Sequence, residues 1–136
     1  MTTGLHLDVR ADAYELRLDG EVLARLEGGA AALVSRTGGR LREIDIETAI
    51  ERSEDWLMPS SKRFQGLDLR VRDATGRVRG NLGDPSSLTS EQVEQAFDRV
   101  FDAVAHGRSI EPENVADVVL LREFAHHGKL ARVLLE

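Results

Sequence analysis

The chain contains no cysteine. Disulfides, thiol catalysis and cysteine-ligated zinc are therefore excluded, and a reducing, cytoplasmic setting fits. Aromatic residues are scarce: one Trp, one Tyr and four Phe among 136 residues, too few for a face that stacks bases or sugars. The longest uninterrupted apolar run is Ala30 to Val34, whereas a spanning helix needs about 20 residues, so no membrane partner is expected. The first residues, Met1-Thr-Thr-Gly-Leu-His, lack the basic and apolar regions of a signal peptide. No phosphate-binding loop, dinucleotide fingerprint, H-E-x-x-H pair, nucleophile elbow or calcium loop occurs. Neither cofactor nor metal is expected.

What remains is 41% apolar and 31% charged, with a formal charge of −6. That composition reads as one domain over residues 1–136, large enough for a single core. The preference for Arg over Lys, with abundant Ala, suggests a GC-rich bacterial genome.

Hydrophobic period changes once along the chain, near Pro85. Before it, alternation dominates. Leu5, Leu7 and Val9 mark one strand, Tyr14, Leu16 and Leu18 a second, and Val22, Ala24 and Leu26 a third. Asp19-Gly20 is the turn between the last two. Because a two-residue loop would set Leu16 beside Leu23, the alternation favours an odd connection with Arg17 opposite Glu21. Residues 30–36 and 41–46 read as a strand pair around Thr37-Gly38-Gly39-Arg40, with Ile44 and Ile46 facing in. Residues 47–52 suggest a turn or two of helix, and 53–66 a long irregular connection. After Pro85, Thr89 and Gln92 form a capping box ahead of Val93, Ala96, Phe97, Val100, Phe101 and Val104, with Gly107 to close the helix. A second helix is expected from Pro112 to about His127, and a last strand within 130–135.

The fold class is therefore α+β: a largely antiparallel, curved sheet of six to eight strands, mostly within 5–82, packed by two C-terminal amphipathic helices. Its β-rich part is 1–84, its helical part 85–128, and its possible terminal strand lies in 129–136.

Chemistry is concentrated in one place. Residues 62–79 carry six Lys/Arg against two Asp, about +4, and the other 118 residues sum to about −10. Arg70 and Arg72 alternate with Leu69 and Val71, and Arg77 and Arg79 flank Val78 beyond the turn Asp73-Ala74-Thr75-Gly76. Read as a hairpin, these arginines share one solvent face. Lys62 and Arg63 extend it, and Trp56 or Phe64 supplies an apolar anchor. The reading is a non-enzymatic protein-interaction module that docks an acidic partner surface. An acidic domain without interleaved aromatics disfavours nucleic acid. The alternative is a small-molecule (anionic ligand) binding protein or enzyme with a pocket near the 53–66 loop. The four histidines do not suggest a metal centre. His6 alternates onto the solvent face of the first strand, His106 ends a helix, and the adjacent His126 and His127 complement a helix dipole. Glu94, Asp98 and Asp102 make a solvated helix face. Ser60-Ser61-Lys62 lacks the register of a Ser/Lys nucleophile.

Overall fold

The computed structural model describes residues 4–35 and 39–136. Six strands, β1 (Leu5–Val9), β2 (Ala13–Leu18), β3 (Glu21–Glu27), β4 (Leu69–Asp73), β5 (Ser87–Leu88) and β6 (Val133–Leu135), form one sheet in the order β3-β2-β1-β4-β6-β5. Five α-helices accompany them among the described residues: α1 (Ala30–Leu33), α2 (Glu43–Leu57), α3 (Arg77–Asn81), α4 (Ser90–Ala105) and α5 (Pro112–His127).

The sheet is mostly antiparallel, as expected, but two of its five strand pairs are parallel. β1, β2 and β3 form an antiparallel meander, β4 lies parallel to β1, and β6 lies parallel to β4. Parallel neighbours need a long crossover, and the helices between β3 and β4, then between β4 and β6, supply it. The odd β2–β3 connection with Arg17 opposite Glu21 is not formed; Arg17 lies opposite Val22, and a bulge meets the demand of the alternation instead. Asp19 and Gly20 both take positive φ, 51° and 85°, and join Leu18 directly to Glu21 as a two-residue turn. A bulge between Leu16 and Arg17 then brings Leu16 opposite Ala24 rather than Leu23.

Three segments depart from the sequence expectation. Within 30–35 and 41–46 the expected strand pair gives way to helices α1 and α2; Arg36 and the turn residues Thr37 and Gly38 lie outside the described residues. Ile46, Ala49, Ser53 and Leu57 are buried at i, i+3, i+7 and i+11, a helical stripe, while Ile44 is half exposed. The Asp45 carboxylate accepts from the Arg42 N–H at 2.8 Å and caps the start of α2. The expected irregular connection 53–66 is the end of this helix continued by a 3-10 helix, Met58–Arg63, with Pro59 in its first turn. Finally, Arg77–Asn81 is helix, not strand. The Asp73 carboxylate takes the Thr75 and Val78 N–H groups at 2.9 and 2.7 Å, and Gly76 turns the chain at φ 75°.

α4 and α5 run where helices were expected after Pro85, but they are two of five α-helices rather than the pair that packs the sheet. Thr89 accepts from Gln92 N–H at 3.2 Å and the Gln92 side chain returns to Thr89 N–H at 2.8 Å. α4 buries Val93, Ala96, Phe97, Val100 and Val104, but Phe101 lies 37% exposed at the edge of this stripe. α5 is not amphipathic: every residue from Val115 to Leu121 is buried, because α1, α2, α3 and α4 all pack around it. It lies over the apolar face of the sheet, where Leu7, Val9, Tyr14 and Val71 meet Asp117, Leu120 and Leu121. Side chains of opposite parity, including His6, Asp8, Glu15, Arg17, Arg70 and Arg72, leave the other face. No helix among the described residues is long and apolar enough to cross a membrane.

Candidate functional site at the carboxyl ends of the parallel strands

β1, β4 and β6 run parallel, so their carboxyl ends open on one edge of the sheet. Ligands of open sheets with parallel strands are commonly taken up there, because chain crossovers leave a crevice beyond the strand ends. In this protein that crevice is a cleft of about 420 Å³ lined by Asp8, Val9 and Arg10 from β1, Arg72, Asp73 and Ala74 from β4, and Glu136 beyond β6.

Its charges differ in how far they are committed. Asp73 is fully used in shaping the turn into α3: one oxygen accepts from the Thr75 N–H and hydroxyl, the other from the Val78 N–H. Glu136 holds Arg72 Nε at 3.1 Å and faces Arg70 at 3.6 Å. Asp8 is mostly buried and has longer ion pairs, to Arg17 at 3.4 Å and Arg10 at 3.9 Å. Arg10 and Arg72 are nearly half exposed, and each guanidinium keeps N–H groups for a ligand. Beside the cleft, Glu15 lies beneath Arg25 and Arg17; their hydrogen bonds hold its carboxyl below the ordinary value despite its desolvation.

Behind the cleft sits a buried polar triad. Arg77 closes a two-pronged contact on Asp117, Nε to Oδ2 at 2.9 Å and Nη2 to Oδ1 at 3.0 Å, while the Tyr14 hydroxyl donates to Oδ1 at 2.5 Å. Tyr14 lies at the start of β2, one residue in, and Arg77 opens α3, so the triad ties both turns near the cleft to the central helix. Burial pushes the Asp117 carboxyl up from its ordinary value, against the lowering effect of Arg77 and Tyr14. Burial and the adjacent Asp117 charge push the Tyr14 phenol well up, so it stays protonated and donating.

The basic cluster of the sequence is dispersed by this fold. Arg70 and Arg72 do leave one face of β4, but Arg77 points inward to Asp117, and Arg79 reaches Leu135 O and Asp84. The hairpin that would have aligned all four does not form, because Asp73 caps a helix. Phe64 is sealed in the core against Phe124, ring centroids 5.6 Å apart. Trp56 is partly buried beside Tyr14 at 6.4 Å. Lys62 is exposed, and Arg63 lies 3.6 Å from Glu21. The 53–66 segment lines none of the described cavities. His6 is only 2% exposed, not solvated, and its Nδ1 is unpartnered. Asp8, Arg10, Asp73 and Glu136 escaped the sequence reading. They converge only through parallel pairing of strands far apart in the chain, for which local alternation carries no signal.

No protein-family model matches the chain, and no curated protein resembles it in sequence. Solved structures do resemble it in fold. A structure of the Aquifex aeolicus PPX-GPPA enzyme superposes with a TM-score of 0.65 at 14% identity, over 99% of this chain and 53% of that one. The type II variant of the Aquifex aeolicus Ppx/GppA phosphatase gives 0.66 at 13% identity, over 99% and 54%. The present chain thus spans about half the length of the structures it matches. The shared fold overturns the expectation of a non-enzymatic protein-docking module and sits instead with the small-ligand or enzyme alternative.

Proposed function

We propose that the chain binds a small phosphorylated anion in the cleft beyond β1, β4 and β6 and serves hydrolysis of its phosphoryl group. The observation that carries this reading is the pairing of Arg10 and Arg72 across the carboxyl ends of parallel strands, both with donors to spare. Guanidinium groups match phosphate oxygens in charge and fork geometry. The likeness to a Ppx/GppA phosphatase supports the reaction class. Of the three carboxylates on the cleft, Asp73 is saturated by hydrogen bonds and Glu136 is held by two arginines. Asp8 also faces two arginines, but at the longer distances of 3.4 and 3.9 Å, so it is the least tightly held of the three and the one to orient an attacking water and accept its proton.

The test is calorimetric titration with inorganic phosphate, pyrophosphate and tripolyphosphate, coupled to an assay for released phosphate. Arg10→Gln and Arg72→Gln each remove a charged hydrogen bond, about 1.5–3 kcal/mol, and should weaken binding roughly 10- to 150-fold. Asp8→Asn should retain binding and lose hydrolysis. Absence of binding, or binding indifferent to both arginines, would sink the proposal.

A further inference from the structure

At the opposite end of the parallel strands, the last turn of α5 meets the last turn of α2. Three side chains converge there: Glu123 and His127, one turn apart on α5, and Glu54 of α2. One donor atom from each lies within 4.8 Å of the other two. His127 Nε2 is 3.0 Å from Glu123 Oε2 and 3.7 Å from Glu54 Oε1. We propose that this cluster is a divalent transition-metal site that clamps α2 to α5, with His127 Nε2, Glu123 Oε2 and Glu54 Oε1 as ligands.

Several observations point the same way. Glu123 is only 2% exposed, yet no described hydrogen bond reaches it; its contacts are the ion pairs with His127 and, at 3.5 Å, with Arg122. A buried carboxylate is costly unless paired and hydrogen-bonded, and a second carboxylate, Glu54, faces the same point. A cation bound between the two carboxylates would remove both penalties. Ligand atoms about 2.0–2.2 Å from a tetrahedral zinc lie roughly 3.3–3.6 Å apart, and the two His127 distances straddle that range. An imidazole nitrogen with two carboxylate oxygens suits zinc, cobalt or manganese better than the all-oxygen shells of calcium or magnesium. Arg122 does not stand in the way. It contacts Oε1, the other oxygen, and its charge is already engaged by Glu94, which accepts two hydrogen bonds from Arg122 Nε at 3.1 and 3.2 Å. His126, the neighbour in sequence, turns away to Glu94 at 3.1 Å. The sequence signal was therefore never the His-His pair but the Glu-x-x-x-His spacing, which puts both ligands on one helix face.

The experiment is titration of tag-free protein with Co²⁺, read by visible absorption, followed by Zn²⁺ displacement and by thermal melting with and without Zn²⁺. The expected result is one saturable Co²⁺ equivalent with ligand-field bands, displaced by Zn²⁺, and a melting point that rises by several degrees on zinc addition. His127→Gln and Glu54→Gln should each weaken Co²⁺ binding at least about tenfold, the lower limit seen even for outer-shell partners. His106→Gln and His126→Gln should leave it unchanged. Glu54 is 43% exposed at the end of its helix, so its variant tests the site without risk to the fold. Lack of saturable Co²⁺ binding below about 1 mM, or binding that survives both His127→Gln and Glu54→Gln, would overturn the assignment. The anion cleft shares no residue with this cluster, so the two proposals fail independently.

Discussion

Replacing Asp117 by alanine should be among the most damaging single changes in this protein. The carboxylate is 4% exposed and takes three hydrogen bonds, two from Arg77 and one from Tyr14. Removing it strands the Arg77 guanidinium, itself 16% exposed, together with a buried phenol hydroxyl. Breaking a buried ion pair from one side costs about 3–5 kcal/mol, because the remaining charge stays desolvated. Unfolding entropies near 2.1 cal/mol/K per residue scale to about 0.29 kcal/mol/K for 136 residues, so the melting point should fall by about 10–17 °C. Tyr14→Phe removes a single hydrogen bond to a charged group and should cost less, about 1.5–3 kcal/mol. The informative variant is the double replacement Arg77→Met with Asp117→Leu, which removes both charges and keeps apolar volume. It should be markedly less destabilised than the sum of its two single changes, with a coupling energy of about 2–3 kcal/mol. Urea unfolding of the four proteins measures this directly. A loss below about 1 kcal/mol for Asp117→Ala, or a double variant that is simply additive, would refute the view that the triad is a coupled, desolvated unit.

Two further outcomes follow from the same packing and charge arguments. Gly128→Ala would place a methyl group 2.6 Å from Phe64 Cε1 and 2.8 Å from the Phe124 carbonyl oxygen, so overpacking should cost about 1–3 kcal/mol in urea unfolding; a neutral result would mean the Phe64 ring has room to move. Glu15 has a folded-state pKa held below its ordinary value by Arg25 and Arg17, so its contribution is present above the unfolded glutamate value near 4.3 and is lost as pH falls through the lower folded one. The urea midpoint should therefore drop below about pH 4.5, and Glu15→Gln should flatten that drop; identical pH profiles would remove Glu15 from acid sensitivity.

How much of this was legible in sequence depended on whether the signal was local. The meander β1–β3 and helix α4 announce themselves, because alternation and a capping box act between residues a few positions apart. Helix α2 was hidden by Ile44 and Ile46, whose spacing of two imitates a strand. The helical stripe emerges only when Ala49 and Ser53 count as core positions, and a buried serine gives no hydropathy signal. α3 was hidden for a different reason. Asp73 first and Gly76 fourth make a good turn in either case, and only the return of the Asp73 carboxylate to Val78 N–H decides for a helix. The cleft was the least legible part, since its residues come from positions 8–10, 72–74 and 136.

The six basic residues of 62–79 show why charge density along a sequence is a poor guide to charge density on a surface. In the fold they have separate destinations. Lys62 and Arg63 end a 3-10 helix, Arg70 and Arg72 stand over Glu136, Arg77 neutralises a buried aspartate, and Arg79 serves Leu135 O and Asp84. Three of these roles are internal compensation: a carboxylate or carbonyl already waits for the guanidinium, so little net positive charge reaches solvent. Binding of an anion then depends less on the number of arginines than on which ones retain unsatisfied donors at a concave edge. Arg10 meets that condition although it lies outside the basic run altogether, and Arg72 meets it from within. Of the six basic residues that stand out in the sequence, only Arg72 lines the proposed cleft, and the parallel register of β1 with β4, Val9 beside Asp73, brings Arg10 next to it.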